Sequence, residues 1–136
     1  MPLEDTLATY TYFIRKADEL GLSYITLLRY SEKYDFPIDG KRRGTDHDMI
    51  SSYRSSIRSA KLFLNMDVTA EEGERLISEG QIDGIFVGLN WITHPDYAKR
   101  VEQGVALDNR PDMPTLQQSK DDEDWSSGYT DYPAVC

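Results

Sequence analysis

The sequence contains a single cysteine, Cys136, at its last position. One cysteine forms no disulfide within the chain, and such a composition is typical of proteins in a reducing compartment. No apolar stretch follows the acidic start MPLEDT, which argues against a secretory signal. No stretch has the apolar length needed to cross a bilayer. These absences predict a cytoplasmic protein without a membrane partner.

Basic residues are scarce: 15 Lys and Arg stand against 24 Asp and Glu, giving a net charge of −9. Four of the acids are consecutive, at 121–124. The basic run KRR at 41–43 is expected to be a solvated part of a loop. Because nucleic-acid binding draws on clustered Lys and Arg, the composition predicts no nucleic-acid partner. With 136 residues the chain is long enough for one domain with its own core.

The first 44 residues predict a helix, a strand and a long loop. Apolar residues at three- and four-residue steps predict an amphipathic helix over roughly the first 20 residues, closed by Gly21. These residues are Leu3, Leu7, Tyr10, Ile14 and Ala17. LSYITLL at 22–28 clusters apolar residues as a fully buried strand does. The segment 31–44 is long for a connection and is expected to be functional or mobile.

A second helix and a strand are predicted after this loop. Thr45 is placed to cap the helix, whose apolar face would carry Met49, Tyr53 and Ile57. KLFLN at 61–65 then predicts a short apolar strand ending in a polar residue.

The stretch 69–88 predicts a helix followed by another strand. Thr69 and Glu72 have the spacing of a capping box, in which hydroxyl and carboxylate each accept an amide of the first turn. Leu76 and Ile77 supply the inner face, and Gly80 suits a left-handed cap at the helix end. GIFVG at 84–88 predicts a second buried strand.

The order of these elements predicts an α/β fold with neighbouring parallel strands. Pro95 suits the first turn of a last helix, packed through Tyr97 and Val101 and ending near Gly104. Beyond Val105 the sequence is irregular. Three parallel strands cannot close a barrel, and an open sheet leaves exposed edges. We therefore expect self-association, as a homodimer.

Ligand sites in parallel α/β folds lie at the carboxyl ends of the strands. Arg29 and Tyr30 end the first predicted strand, and Asn65, Met66 and Asp67 follow the second. The residues after the third strand are Leu89, Asn90 and Trp91. These eight residues are the candidate site, and its expected occupant is a small molecule.

The residue types suit proton transfer next to a carbonyl. A carboxylate beside an apolar wall can serve as a general base, which is the role predicted for Asp67. Arg29 and Asn65 can polarise a carbonyl or hold an enolate. Tyr30, Met66, Leu89, Asn90 and Trp91 would bind the substrate. The alternative is that Asp67 only starts the turn before Thr69, a common position for Asp.

Other reactive residues are expected to be structural. His47 follows the predicted cap and suits a solvated first turn, and His94 is likewise not expected to be catalytic. No His, Cys and carboxylate residues have metal-ligand spacing, so no metal is predicted. No nucleophile elbow or glycine-rich phosphate loop is present. Trp91 and Trp125 could cap an apolar substrate or pack in a dimer interface, the latter being favoured for Trp91.

Several segments together carry a family resemblance. TYTYFIRKADELGLSYITLL at 9–28 and EEGERLISEGQIDGIFVG at 71–88 are similar to helix–strand pairs of the old yellow enzymes, flavin-dependent ene-reductases built on a TIM barrel. ITHPDYAKRVEQGVALD at 92–108 and GYTDYP at 128–133 resemble the closing segments of that family. The resemblance is to the C-terminal portion of the barrel. It implies a partial TIM barrel of about three parallel βα units over 1–108, followed by an irregular tail over 109–136.

Departures from the family bear on its cofactor, FMN. The family turn Asn-Gly-Gly, whose amides approach the flavin phosphate, reads Asn65-Met66-Asp67 here, and an arginine that clamps the phosphate is replaced by Leu89. An aromatic pair of the family becomes Leu116-Gln117. The first half of the barrel, which carries most flavin contacts and the proton-donating tyrosine, has no counterpart in this sequence. The resemblance therefore implies a chain without FMN.

The favoured hypothesis is a flavin-independent isomerase or epimerase of an apolar small molecule in secondary-metabolite biosynthesis, with no cofactor. One alternative is an FMN-dependent ene-reductase whose site is completed by a second chain. Another is a non-catalytic interaction subunit that binds a partner through its strand edges.

Overall fold

A computed structural model describes residues 1–117 and 126–135. The acidic run 121–124, Trp125 and Cys136 lie outside the described residues. The chain divides into two compact units, 1–86 and 87–136, which are described separately. The domain boundary expected after residue 108 stays a prediction.

Helix α1, Leu3–Asp18, opens the first unit and confirms the predicted helix, but its predicted apolar face is only partly buried, since Leu3 and Tyr10 are 46% and 48% exposed. Acidic residues lie in its first turn and basic residues in its last, which complements the helix dipole. Gly21 follows with φ of 70°, a left-handed conformation that ends the helical path at little cost for glycine. Ile14 is the buried apolar residue of this helix.

Three parallel strands form the sheet, in the order β1, β2, β3, and confirm the predicted fold class. They are β1 at Tyr24–Leu28, β2 at Lys61–Asn65 and β3 at Gly84–Ile85. Thr26 lies opposite Phe63, which in turn lies opposite Gly84. Within the described residues the sheet remains open.

The expectation of fully buried strands is wrong for β1 and for the GIFVG segment. In β1 only Leu27 is buried, whereas Tyr24 and Leu28 are 51% and 55% exposed. The third strand has two residues, and Phe86 beyond it is 41% exposed. The physical reason is that the core packs against one face of the sheet, so alternate side chains point away from it.

Side chains on the uncovered face form an aromatic cluster of Tyr24, Phe63 and Phe86. Their ring centroids are 5.1 to 5.8 Å apart. Gly84 makes room for this cluster, because a Cβ there would overlap the Phe63 ring. Aromatic surface of this kind in a monomer is typical of a contact or binding surface.

Helix α2, Met49–Tyr53, continues into a 3₁₀ turn at Arg54–Ser56. Asp48, not Thr45, is its cap: the carboxylate accepts the amides of Ile50 and Ser51, while the Thr45 hydroxyl donates to the Met1 carbonyl. Thr45 and Asp48 are both of a type that caps helices and lie three positions apart, so the sequence alone did not show which of them starts the helix. Tyr53 is fully buried, as its predicted place on the inner face requires.

Helix α3, Ala70–Ser78, joins β2 to β3. The Thr69 hydroxyl accepts the Glu72 amide at 3.1 Å, and Gly80 takes φ of 70° after the helix end, as predicted. The other half of the predicted capping box is different, because the Glu72 carboxylate pairs with Arg29. Leu76 is buried, but Ile77 is 45% exposed and does not belong to the inner face. The core of the unit consists of Ile14, Leu27, Tyr53, Ile57, Ala60, Leu62, Leu64, Val68, Leu76 and Ile82.

The second unit contains three helices in its described residues: α4 at Leu89–Thr93, α5 at Tyr97–Gln103 and α6 at Met113–Gln117. The first and last of these were not predicted. Pro95 precedes the N-cap Asp96 instead of opening α5, and Gly104 ends that helix with φ of 67° as predicted. No helix in 1–117 or 126–135 is long and apolar enough to cross a membrane.

Candidate functional site

Arg29 joins the end of β1 to the turn after β2. Its guanidinium forms a two-point ion pair with the Glu72 carboxylate, at 2.8 and 2.9 Å, and donates to the carbonyls of Met66 and Asp67 at 3.3 Å. The hydrogen bonds with Glu72 raise the pKa of Arg29 and lower the pKa of Glu72. Arg29 therefore holds the turn in place, with its charge balanced by Glu72.

The turn itself has a backbone suited to glycine. Met66 and Asp67 have φ of 81° and 52°, a left-handed region that is unusual for a side chain as large as methionine. The Asn65 side-chain oxygen accepts the Met66 amide at 2.7 Å. This turn thus keeps a Gly-Gly-like conformation although both residues carry side chains.

Asp67, the predicted base, lies at the surface. Its carboxylate accepts the Ser31 hydroxyl at 3.0 Å, and its main-chain carbonyl is bound by Arg29. The structure brings together five of the eight predicted residues in the first unit, namely Arg29, Tyr30, Asn65, Met66 and Asp67.

Loop 31–47 is tied to itself and to Tyr30. The Tyr30 hydroxyl donates to the Asp35 carboxylate at 3.2 Å, and the amides of Arg43 and Gly44 donate to the same carboxylate. Burial alone would raise the pKa of Asp35, but these hydrogen bonds lower it. Arg42 donates to two loop carbonyls and pairs with Glu32, so the basic run serves as a structural tie in addition to being solvated.

A cavity of about 560 Å³ lies between α1, β1, this loop and α2. Its volume is within the range of small-molecule sites. Apolar and aromatic side chains dominate the wall, and Arg29, Tyr30 and Met66 reach it from the strand ends. The predicted site therefore opens onto a space large enough for a small organic ligand.

His47 also lines this cavity and is not the solvated residue that was expected. Its Nδ1 lies 2.9 Å from the Thr45 carbonyl and its Nε2 lies 3.0 Å from the Tyr53 hydroxyl. Since a carbonyl only accepts, Nδ1 carries the proton and Nε2 accepts from Tyr53. His47 is thereby fixed against the buried core.

The other three predicted residues lie on α4 in the second unit. Asn90 and Trp91 are exposed and Leu89 is half-buried. The Trp91 ring packs against Tyr97, with centroids 5.2 Å apart, and the carbonyls of Leu89 and Asn90 accept bonds from Thr93 and His94. Their predicted role in substrate binding stays a prediction.

His94 is structural, in agreement with its interpretation from sequence. It is fully buried, with Nδ1 2.9 Å from the Thr93 hydroxyl and Nε2 accepting the Asn109 amide at 3.1 Å. An ion pair of Arg100 with Asp96, also buried, lies in the same unit, and Asp96 accepts the Val135 amide. These contacts fix the segment after α5 and the chain near residue 135.

The GYTDYP segment is anchored inside the second unit. The Tyr132 hydroxyl accepts the Asp112 amide at 2.9 Å and donates to the Arg110 carbonyl at 3.2 Å. Gly128 has φ of 80°, and its amide donates to the Asp131 carboxylate. This motif has a structural role that its spacing alone did not reveal.

The residues at the turn after β2 do not fit the phosphate of FMN. A phosphate site needs free amides and unbalanced positive charge. Here the Met66 amide is bound by Asn65, Arg29 is paired with Glu72, and Asp67 adds a negative charge. Within residues 1–117 and 126–135 there is also no group of three or more His, Cys, Asp and Glu side chains arranged to hold a metal.

Comparison with known proteins gives a likeness of fold. No protein-family model matches the sequence, and no curated protein is significantly similar to it. Solved structures do match: the old yellow enzyme from Trypanosoma cruzi has a TM-score of 0.74 at 24% identity, over 96% of this chain and 30% of that one. NCR, an old yellow enzyme homologue from Zymomonas mobilis, has a TM-score of 0.69 at 21% identity, over 93% and 32%. Morphinone reductase has a TM-score of 0.67 at 22% identity, over 95% of this chain and 31% of that one.

These matches define the class as an α/β fold that forms part of a TIM barrel, with an open sheet. The resemblance to the old yellow enzyme family, indicated by the sequence, is confirmed at the level of the fold. The chain spans about a third of the length of these solved structures.

Sequence reasoning missed three residues of the site: Glu72, Asp35 and His47. The spacing of Glu72 predicts a capping box, but its carboxylate pairs with Arg29. Asp35 and His47 lie in or beside a long loop, where spacing does not fix neighbours. Only their charge and hydrogen-bonding capacity could have marked them.

Proposed function

We propose that this chain is a flavin-independent isomerase or epimerase that moves a proton next to the carbonyl of an apolar small molecule. Asp67 would remove the proton from the carbon beside the carbonyl, and the proton would return to another face or position. No electrons are gained or lost, so no redox cofactor is needed. A role in secondary-metabolite biosynthesis, in the cytoplasm, is part of the proposal.

The observation that carries the proposal is the turn Asn65-Met66-Asp67. It keeps left-handed backbone angles at two successive positions, yet it presents a carboxylate and has its Met66 amide bound by Asn65. The Asp67 carboxylate in this turn would repel a phosphate dianion. The same carboxylate is exposed and can accept a proton. The adjoining cavity of about 560 Å³ supplies room for a substrate.

The contacts refine the roles first predicted for its neighbours. Because Arg29 is bound to Glu72 and to two carbonyls, we assign it to positioning the turn. Asn65 fixes the Met66 amide in the same way. Tyr30 and Met66, which line the cavity, would contact the substrate.

A test uses cis-1-decalone, an apolar bicyclic ketone whose ring-fusion carbon epimerises by proton transfer next to the carbonyl. The expected result is protein-dependent formation of the trans isomer, measured by gas chromatography. Asp67→Asn should abolish it, because the amide no longer accepts the proton, whereas Asp39→Asn, which changes another exposed carboxylate, should not. Equal activity in Asp67→Asn and the unaltered protein would refute the role of Asp67.

Flavin independence has its own measurement. FMN absorbs at about 450 nm, so the purified protein should be colourless and should gain no bound absorbance after incubation with FMN and gel filtration. A yellow protein with stoichiometric FMN would favour the ene-reductase alternative and contradict the proposal. No contact within residues 1–117 and 126–135 supports that alternative.

The aromatic cluster of Tyr24, Phe63 and Phe86 favours contact with another protein chain, because Tyr24 and Phe86 are exposed on the uncovered face of the sheet. We propose that a second copy covers this face and that the protein is a homodimer. Light scattering after size-exclusion chromatography should give the mass of two chains. Phe63→Lys should yield monomers, whereas Ile77→Lys, at an exposed apolar site on α3, should not. A monomer that pairs only with a different protein would favour the interaction subunit.

A further inference from the structure

The cavity beside β1 has a mostly apolar wall. Tyr10 and Ile14 of α1, Leu27 of β1, and Met49 and Tyr53 of α2 line it. Apolar walls of this size favour ligands that bury hydrocarbon surface, at roughly 25 cal/mol per Å². The size and apolar wall of the cavity therefore suit a compact apolar body, such as a ring compound, as the main part of the ligand.

One polar end of the cavity is built around Tyr30. Its hydroxyl is 3.2 Å from the Asp35 carboxylate, which also receives the amides of Arg43 and Gly44. The Gly44 backbone lies against the Tyr30 ring, because a Cβ there would be 2.5 Å from Cε2. The ring is thus fixed on one side by glycine and at its hydroxyl by a carboxylate.

The direction of hydrogen bonds at this end selects the ligand group. The Tyr30 proton is directed to Asp35, so the phenol oxygen can accept but has no second proton to donate. The same holds at the Tyr53 oxygen, whose proton is directed to His47. Carboxylate charge at Asp35 disfavours an anion nearby. Two arginines also line the cavity, but Arg29 is paired with Glu72, and Arg43 is paired with Asp39 and well exposed.

The geometry points to a binding site for a neutral, apolar ring compound that carries a hydroxyl group, which donates its proton to the Tyr30 oxygen. This inference rests on the proposed function for the premise that the ligand is an apolar small molecule. It goes beyond that function by naming the group that is recognised and the residues, Tyr30 with Asp35 and Gly44, that recognise it. Binding here does not require Asp67 to be catalytic.

The experiment compares three probes of one shape: 1-adamantanol, 1-methoxyadamantane and adamantane-1-carboxylate. Dissociation constants are measured by proton NMR titration of the full chain, without turnover. The alcohol should bind about five-fold more tightly than the ether, as expected for one neutral hydrogen bond, and more tightly than the carboxylate. In Tyr30→Phe the preference for the alcohol over the ether should disappear.

Two further variants separate recognition from general damage. Tyr34→Phe removes another hydroxyl from the cavity wall and should keep the preference, whereas Gly44→Ala should weaken it by displacing the Tyr30 ring. Circular dichroism confirms that each variant is folded. The proposal is overturned if no probe binds up to its solubility limit, if ether or carboxylate equals the alcohol, or if Tyr34→Phe acts like Tyr30→Phe. A failure of Asp67→Asn to affect turnover would leave this binding result untouched.

Discussion

Arg29 and Glu72 form a two-point ion pair that links the end of β1 to the first turn of α3, with N–O distances of 2.8 and 2.9 Å. Both side chains are about one-third exposed or less, at 32% and 29%. The pair lies directly beneath the turn that carries Asp67. Its strength therefore bears on both stability and the shape of the candidate site.

Glu72→Gln should destabilise the protein by about 0.5–1.5 kcal/mol, between the values for exposed and buried pairs. The pKa of Glu72 is lowered in the folded state, so its contribution is present above its ordinary pKa of 4.5 and is lost as pH falls below that value. Urea unfolding at pH 7 and at pH 3 measures both effects, and the difference in stability between the variant and the unaltered protein should be smaller at the lower pH.

Glu79→Gln is the matched control, because Glu79 pairs with Arg75 at 2.9 Å on an exposed face. It should change stability by less than about 0.5 kcal/mol. A double-mutant cycle of Glu72→Gln with Arg29→Met should show coupling. Additive effects would mean that Arg29 and Glu72 do not stabilise one another.

The sheet and its helices were largely predictable because their signals are local. Residues 61–65 and the Thr69 cap form the predicted strand and helix start. Burial was not predictable in the same way, because an apolar run such as 22–28 is compatible with a strand that is covered on one face or on both. Tyr24 and Leu28 are exposed for that reason.

Five of the eight predicted site residues lie near one another in the first unit, whereas a catalytic role for them stays a prediction. The rule that residues after parallel strands converge grouped Arg29 with Asn65 and Asp67, and the Arg29 amide and guanidinium do donate to the main-chain carbonyls of these two residues. The partner of Arg29, Glu72, is 43 residues away, and no spacing rule reaches so far. Consequently Arg29, which is expected from the sequence to polarise a carbonyl, instead holds the turn after β2 in place.

Asp18 should govern stability in acid. Its carboxylate accepts the amides of Ala60, Arg58 and Ser59, which together lower its pKa from 3.8 to about 2 against the opposing effect of burial. A lowered pKa gives stability that is present above pH 3.8 and is lost as pH falls towards 2. Asp18→Asn should therefore be less stable than the unaltered protein at pH 7, with a smaller difference near pH 2, by circular dichroism during thermal unfolding.

Asp39→Asn serves as the control for this experiment, because its carboxylate is exposed and 4.0 Å from Arg43. Asp39→Asn should leave the loss of stability at low pH unchanged. If Asp18→Asn and Asp39→Asn have the same pH profile, the three amide contacts of Asp18 do not stabilise the fold.

Gly84→Ala should disturb the aromatic cluster. A Cβ at this position would overlap the Phe63 ring, so the ring or the strand must shift, at a cost of about 1–3 kcal/mol. Gly88→Ala is the control, since a Cβ added at Gly88 would have no atom within 4 Å apart from its own chain neighbours. Chemical unfolding of both variants is the measurement, and equal stability of the two would show that Phe63 moves freely.

Met66→Gly should be more stable than Met66→Ala by about 1–2 kcal/mol, the cost of a left-handed backbone for a residue with a Cβ. Both variants remove the same packing of the methionine side chain, so their difference reports the backbone at φ of 81°. In an ordinary helix or strand the sign is the reverse, because glycine is there less stable than alanine by about 1 kcal/mol. Urea unfolding of the two variants at neutral pH decides between these signs. Greater stability of Met66→Ala would show that the turn after β2 does not keep the backbone conformation suited to glycine, which is part of the observation that carries the proposed function.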